Sequence, residues 1–211
     1  MAKIKGTNNL YTIAYEIVDR IRSLKRPDSR PFLIAIDGGS GSGKSSIAEI
    51  IVQTLGATLI VTDDFFAAHI SDRGWLSRSC RERAADAINW QGLRSDVLEP
   101  LLLRIPAKWY SFDFEAGARP DGTYRIKSDC INYRPGDIIV LEGAYSARPE
   151  LADLVDLKIL VHVPIEIRHR RLIEREEREF LEKWHEIWDE AEQYYFQHVR
   201  SASTFDMVIE N

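Results

Sequence analysis

The chain has 211 residues and a net charge of −5, and 45% of its residues are hydrophobic. This length fits a single domain, residues 1–211, and the apolar content suffices for a full core. The acidic charge argues against nucleic acid as the main partner, because proteins that bind the phosphate backbone usually carry a basic surplus. With no apolar stretch near the about 20 residues of a membrane span, we expect a cytoplasmic protein without membrane contact. Homo-oligomerisation stays open.

Apolar periodicity predicts the elements in chain order. A helical pattern predicts a lead-in helix within residues 1–26. Five buried apolar runs then predict parallel strands, most of them separated by helical stretches: Phe32–Ile36, Thr58–Val61, Ile138–Leu141, Lys158–Val163 and Met207–Ile209. The pattern is typical of an α/β fold, a three-layer α/β/α sandwich around a parallel sheet of about five strands.

Two segments depart from this alternation of strand and helix. Residues that alternate around Pro120-Asp121-Gly122 predict a β-hairpin, inserted at residues 105–128 and separate from the main sheet. Residues 165–199 predict an almost continuous helical stretch, charged first and aromatic later. Within it Trp184, Trp188 and Tyr195 belong to an apolar stripe at helical spacing, for which we predict core packing.

Residues 38–45 match the pattern G-x-x-x-x-G-K-[ST] in full, between a predicted strand and a predicted helix. Such a loop curls until several backbone N–H groups point at one phosphate, and Lys44 reaches the β- and γ-phosphates. The hydroxyl of Ser45 would ligate Mg²⁺. The motif predicts a site for ATP and Mg²⁺, although the preference for ATP over GTP stays open. The predicted nucleotide-binding residues are Gly38, Gly39, Ser40, Gly41, Ser42, Gly43, Lys44, Ser45 and Ser46.

Acidic residues follow two of the predicted strands. Asp63 and Asp64 come after Thr58–Val61, and Glu142 comes after Ile138–Leu141. Open α/β sheets bind ligands at the carboxyl ends of their strands, so acids there can face the γ-phosphate or hold magnesium. Simple solvation or helix capping is the alternative for either acid taken alone. Since the guanine-reading pattern Asn-Lys-x-Asp is absent, the acids favour a kinase over a GTPase switch.

The order of these motifs resembles the uridine kinase family, within the wider group that includes phosphoribulokinase and pantothenate kinase. The resemblance covers most of the chain from Phe32 onward. It is carried, besides the P-loop, by Asp63-x-Phe65-Phe66, Phe112-Asp113-Phe114, Leu141-Glu142-Gly143 and Arg168-x-x-Arg171.

The resemblance implies roles for these residues. Asp63 would be the general base, Glu142 a magnesium ligand, and Arg168 with Arg171 would belong to a lid at residues 165–183 that closes over the nucleotide. The acceptor would contact Asp63, Phe66, Asn89, Phe112 and Asp113. Helical spacing also puts Arg175 and Arg178 on the face of Arg168 and Arg171. Neither Arg168 nor Arg171 has an acid four residues away, so we predict that their charge awaits a phosphate.

Three departures from the family pattern concern the acceptor. Asn89 stands where uridine kinases carry an Asp, Phe112 replaces a Tyr, and Gly117 falls where a base-reading His is expected. A site without those polar partners should discriminate poorly for uracil. The predicted function is phosphorylation of a small-molecule hydroxyl, with a nucleoside as the acceptor. Two alternatives stay open: a kinase of a sugar, polyol or pantothenate-like alcohol, and a nucleotide-binding regulator without phosphotransfer.

A protein-held transition metal is not predicted. His185-Glu186 lacks the second histidine of H-E-x-x-H, and the remaining histidines show no ligand spacing along the chain. The metal expected is the magnesium that accompanies the nucleotide.

Overall fold

The computed structural model describes residues 2–5, 9–24, 29–174 and 178–211, with the backbone alone at 2–5 and 178–183. The strands are β1 (Ala2–Lys5), β2 (Phe32–Asp37), β3 (Thr58–Val61), β4 (Ala107–Asp113), β5 (Arg125–Tyr133), β6 (Ile138–Glu142), β7 (Leu157–His162) and β8 (Met207–Glu210). Six of them form a parallel sheet in the order β1-β8-β7-β2-β6-β3, while β4 and β5 form a separate antiparallel pair.

The helices fill the chain between the strands. They are α1 (Leu10–Ser23), α2 (Lys44–Leu55), α3 (Asp72–Leu76), α4 (Cys80–Asp86), α5 (Trp90–Gly92), α6 (Glu99–Leu102), α7 (Ile165–Ile173) and α8 (Arg178–Tyr194). Short 3₁₀ turns lie at Thr62–Phe65, Pro149–Leu151 and Ala202–Thr204, and π-helical turns at Leu93–Leu98 and Tyr195–Val199. Among the described residues no helix combines the length and the apolar character that crossing a bilayer requires.

Alternate residues of the central strand β2 face the two halves of the core. Ile34 and Ile36 pack with α1 and α2 on one face of the sheet. Leu33 and Ala35 belong to the cluster on the other face, which includes residues of α4, α8 and the hairpin strand β4. Because side chains of a strand point alternately to opposite faces, a strand that is buried throughout must have helices on both sides. The predicted three-layer α/β/α sandwich is confirmed.

The N-terminal segment differs from the prediction. Residues 2–5 are not helical but add a sixth strand, β1, which pairs with β8. The helix begins only at Leu10, where the side chain of Asn9 accepts a hydrogen bond from the N–H of Tyr11 at 3.0 Å. Four residues on a sheet edge carry too little periodicity to be distinguished from the helical pattern that follows.

The hairpin exists as a separate sheet, but the predicted bounds, 105–128, end too early. Its second strand continues to Tyr133, and nearly every side chain of β5 is exposed. A strand without a buried face shows no alternation of apolar and polar residues, so its length was invisible in the sequence. The first strand, β4, instead packs into the core through Ala107 and Trp109.

The predicted helical stretch is found as two helices, α7 and α8, with a π-helical turn after them. Arg175 and the side chain of Arg178 lie outside the described residues. Their predicted place on one face with Arg168 and Arg171 therefore stays a prediction.

Candidate active site

The glycine-rich loop runs from the end of β2 to the start of α2. Gly41 and Gly43 have φ angles of 78° and 86°, which L side chains rarely adopt. A Cβ on Gly41 would lie 2.7 Å from the carbonyl oxygen of Arg168. Two side chains from other parts of the chain contact the loop. Arg171 Nη1 donates to the carbonyl oxygen of Ser42 at 3.2 Å, and Asn211 Nδ2 donates to the same oxygen at 2.9 Å. These contacts hold the loop in the curled form that a phosphate cradle requires.

The fully buried carboxylate of Asp37 anchors the start of the loop. It accepts hydrogen bonds from the N–H groups of Gly38 (2.7 Å), Tyr145 (2.9 Å) and Ala147 (3.0 Å), and from the hydroxyl of Tyr195 (2.8 Å). Burial raises the pKa of Asp37, and the four hydrogen bonds oppose that rise. One side chain thus joins the phosphate loop to the segment after β6 and to the helical turn after α8. Its position between an apolar strand and the first glycine was the only hint in the sequence.

A buried acid lies beside the first turn of α2. Ser45 Oγ donates to Glu142 Oε1 at 3.0 Å, and Glu142 is 4% exposed. Burial raises the pKa of Glu142, the positive charge of Lys44 lowers it, and the negative charge of Asp63 raises it. A hydroxyl and a carboxylate at this distance are hard oxygen donors of the kind that Mg²⁺ prefers. The donor set therefore fits a magnesium site between Ser45 and Glu142.

The two adjacent aspartates after β3 have different surroundings. Asp64 is half-buried and accepts a hydrogen bond from Trp109 Nε1 at 2.9 Å, and burial raises the pKa of its carboxyl group. It thereby ties the hairpin to the 3₁₀ turn. Asp63 is exposed and lines a small cavity together with Lys44. Of the two acids, Asp63 is the one that faces the phosphate loop.

That cavity has a volume of about 50 Å³. Its polar lining comes from Ser40, Lys44, Asp63 and Glu192, and its aromatic lining from Phe66, Phe114, Tyr145, Trp184 and Trp188. Trp188 is buried and contacts both Phe66 and Trp75, with ring centroids 5.4 and 5.0 Å apart. The stripe that predicted core packing therefore packs and also forms one wall of the cavity.

The sequence did not predict a role for Glu192 of α8 at the phosphate loop. Its side chain is 3% exposed, and its Oε1 accepts from the N–H (2.8 Å) and the hydroxyl (2.7 Å) of Ser40. Its Oε2 lies 2.7 Å from Arg168 Nη1, which also donates to the carbonyl oxygen of Ser40 at 2.9 Å. The expectation that Arg168 lacks an acidic partner is therefore wrong, while its role towards a phosphate stays a prediction. The partner acid comes 24 residues later on another helix, so counting i,i+4 neighbours missed it.

The contact between Glu192 and Ser40 also bears on nucleotide binding. A carboxylate oxygen of Glu192 accepts a hydrogen bond from a backbone N–H group of the phosphate loop, that of Ser40. The loop therefore offers a donor to an anionic oxygen, which is what a cradle for phosphates must do.

A family model described as "Phosphoribulokinase / Uridine kinase family" matches residues 33–199. The chain belongs to this family. A uridine kinase of Halobacterium salinarum is 32% identical over 167 residues, which cover 77% of this chain and 69% of that protein. The chain is therefore a P-loop kinase, a phosphotransferase that acts on a hydroxyl acceptor.

Solved structures agree in fold. A structure titled as a possible uridine kinase from Bacillus stearothermophilus has a TM-score of 0.71 at 18% identity, over 95% of this chain and 98% of that one. Phosphoribulokinase from Rhodobacter spheroides has a TM-score of 0.55 at 18% identity, over 87% of this chain and 71% of that one. These likenesses show that the kinase has the α/β fold of P-loop kinases.

Of the four further residues predicted to contact the acceptor, three do not line the cavity of Lys44 and Asp63. Phe66 lines it. Phe112 is buried behind that wall, with its ring 5.1 Å from Phe66 and 4.5 Å from Phe114. Asn89 is exposed and caps α5, accepting from the N–H of Gly92 at 3.0 Å, and Asp113 likewise accepts from backbone N–H groups of the turn that follows it. In this conformation Asn89 and Asp113 serve the local backbone.

Proposed function

We propose that this kinase transfers the γ-phosphate of ATP to a hydroxyl group of a nucleoside, with Mg²⁺ accompanying the triphosphate. The observation that carries the proposal is the shared cavity of Lys44 and Asp63. One residue belongs to the phosphate loop and the other is an exposed acid without a competing hydrogen bond among the described residues. A hydroxyl placed between them would have a phosphate on one side and a proton acceptor on the other.

Each residue then has a chemical task. The loop N–H groups and Lys44 would hold the phosphates, and Ser45 with Glu142 would hold a magnesium ion that neutralises charge on the phosphate oxygens. Asp63 accepts the proton of the attacking hydroxyl. Arg168 and Arg171 reach the loop from α7. Arg168 can stabilise charge on the transferred group only after its separation from Glu192.

The aromatic lining supports a nucleoside as the acceptor. Planar bases pack well against aromatic rings, and Phe66, Phe114 and Trp188 offer such surfaces. The similarity to proteins named uridine kinase supports the same class. Preference for uracil should be weak, because Phe112 is apolar and Asn89 is engaged in capping a helix. Cytoplasmic location stays a prediction, and homo-oligomerisation stays open.

The size of the cavity favours a second candidate, a small sugar or polyol. About 50 Å³ is far below the roughly 300–1,000 Å³ of usual ligand pockets. A nucleoside would require α8 or the hairpin to move outward, whereas a small polyol would require less. The carboxylate of Asp63 is also a suitable acceptor for a sugar hydroxyl.

A panel of nucleosides, sugars and vitamin alcohols, assayed for acceptor-dependent ADP release, separates these possibilities. The proposal predicts turnover with several nucleosides at comparable kcat/KM. Turnover with sugars or polyols but with no nucleoside would show that the acceptor is the second candidate, a small sugar or polyol. Tight ATP binding with no acceptor above the slow background of hydrolysis would instead favour a regulator without phosphotransfer.

A further inference from the structure

Two histidines and an aspartate meet between α7 and α8, away from the phosphate loop. His169 lies on α7, and His185 and Asp189 lie one turn apart on α8. Nitrogen and carboxylate oxygen atoms of the three side chains all lie within 4.8 Å of one another, and each residue is half-buried. The sequence did not predict this cluster, because 16 positions separate the two histidines and their helices bring them together only in the fold.

The distances within the cluster suit a metal ion. Asp189 Oδ2 lies 2.9 Å from His169 Nε2 and 3.1 Å from His185 Nδ1. Ligand bonds of about 2.0–2.2 Å in tetrahedral geometry place neighbouring donor atoms roughly 3.3–3.6 Å apart. A small adjustment of the side chains would therefore let one ion bind all three.

Hydrogen bonding within the cluster is incomplete. His185 Nδ1 is hydrogen-bonded to Asp189 Oδ1 at 3.2 Å. His169 Nε2 approaches the same carboxylate without the direction of a hydrogen bond, and this buried nitrogen has no hydrogen-bond partner among the described residues. A buried nitrogen that lacks such a partner leaves its lone pair or proton unsatisfied, which is costly. A cation between the two imidazoles and the carboxylate would remove that cost.

We propose that His169, His185 and Asp189 bind a divalent transition-metal ion, with Zn²⁺ as the best fit, and so join α7 to α8. Two imidazoles and one carboxylate favour zinc-like ions, whereas Mg²⁺ and Ca²⁺ prefer sites made of oxygen donors alone. The fourth position can hold water, since Asp189 borders a cavity of about 400 Å³ between β7, α7 and α8. This site is distinct from the proposed magnesium site at Ser45 and Glu142.

Metal binding would hold the lid arginine in place. His169 directly follows Arg168 on α7, and Asp189 precedes Glu192 by three residues on α8. An ion shared by the two helices therefore stabilises the arrangement in which Arg168 is paired with Glu192 at Ser40. Zn²⁺ should raise the temperature of unfolding, and, if the proposed phosphotransfer is right, it should also slow turnover.

The first test is calorimetric titration of the metal-stripped, nucleotide-free full chain with ZnCl₂. The proposal predicts one saturable site that Mg²⁺ in excess does not displace. His185→Gln and Asp189→Asn should each weaken it by more than the about 10–100-fold that loss of an outer-shell partner costs. His198→Gln is the matched control, because His198 is exposed on the helical turn after α8. This variant should bind Zn²⁺ with the affinity of the wild type. The proposal would be overturned if His185→Gln and Asp189→Asn both bound Zn²⁺ with wild-type affinity, or if the wild-type chain showed no saturable Zn²⁺ binding.

Co²⁺ provides a second measurement that does not depend on the variants folding. Bound by two imidazoles, a carboxylate and water, Co²⁺ should give the intense visible absorption of four-coordinate cobalt in the wild-type chain, and Zn²⁺ should abolish it. The weak absorption of six-coordinate Co²⁺ would contradict the site. Neither measurement involves the acceptor, so failure of the proposed function would leave this result standing.

Discussion

Arg168 and Glu192 form a buried ion pair at the phosphate loop, with 2.7 Å between Nη1 and Oε2 and side chains 11% and 3% exposed. Both contact Ser40, Arg168 through the carbonyl oxygen and Glu192 through the N–H and the hydroxyl. The pair therefore occupies part of the place where an anionic ligand would bind. Nucleotide binding and opening of the pair should be coupled.

Glu192→Gln tests that coupling. The amide removes a negative charge beside the phosphate loop and weakens the hold on Arg168. We expect ATP to bind roughly 10–100-fold more tightly in the absence of acceptor, since a hydrogen bond to a charged group is worth about 1.5–3 kcal/mol and about 1.4 kcal/mol is a tenfold change in affinity. Glu190→Gln removes the same charge from an exposed position of the same helix and should leave affinity unchanged. Equal ATP affinities for Glu192→Gln and the wild type would show that the pair does not compete with the nucleotide.

Arg171 and Arg170 are neighbours with different surroundings. Arg171 donates to carbonyl oxygens of the phosphate loop, whereas Arg170 is exposed. Arg171→Ala should slow phosphotransfer far more than Arg170→Ala, and should raise the ratio of ATP hydrolysed to acceptor phosphorylated, because a looser lid admits water. Rate and coupling ratio are measured together by following ADP and phosphorylated product. If the two substitutions act alike, the lid role of Arg171 is excluded.

Glu142→Gln should raise the magnesium concentration required for half-maximal rate, since an amide is a poorer ligand for a hard cation than a carboxylate. A magnesium titration at saturating ATP measures the change. Glu49→Gln serves as the control, because Glu49 is an exposed acid on α2 that also contributes negative charge near Glu142. A titration curve identical to that of the wild type would remove Glu142 from the metal site.

The five buried parallel strands, the P-loop and the acids Asp63 and Glu142 at strand ends were predictable because each depends on local pattern. Buried parallel strands are continuous apolar runs, and the loop is defined by glycine spacing and a lysine. Asp37 and Glu192 were not predictable in the same way. Their roles depend on partners more than 100 residues away, Tyr145 and Tyr195 for Asp37 and Ser40 for Glu192, which meet only in the fold.

The acceptor residues show the same limit. Asn89 was assigned to the acceptor by position in a motif, yet its side chain caps α5 in the structure. Asparagine is a favoured N-cap residue, so the local backbone competes with the ligand for the same amide. Conversely, Trp188 was assigned to packing by its helical spacing, and the spacing could not reveal that the packed face borders a cavity.

Asp37→Asn should destabilise the protein although it conserves shape. All four partners of Asp37 are donors, and an amide NH₂ facing an N–H leaves buried donors unsatisfied. We expect a loss of about 1–3 kcal/mol in the free energy of unfolding, measured by denaturant titration. Asp129→Asn, at an exposed position of β5, should change it by less than about 0.5 kcal/mol. Equal stability of both variants would mean that Asp37 does not anchor the loop.

The most direct test of the proposed phosphotransfer compares Asp63→Asn with Asp64→Asn. The two acids are adjacent and carry the same charge, but Asp63 lines the cavity with Lys44 while Asp64 is hydrogen-bonded to Trp109. Measured as acceptor-dependent ADP release at saturating ATP, Asp63→Asn should lose roughly 10²–10⁴ in rate with ATP affinity retained, the usual contribution of a general base. Asp64→Asn should keep most of the rate. A large loss for Asp64→Asn with little change for Asp63→Asn would contradict the assignment of the catalytic base.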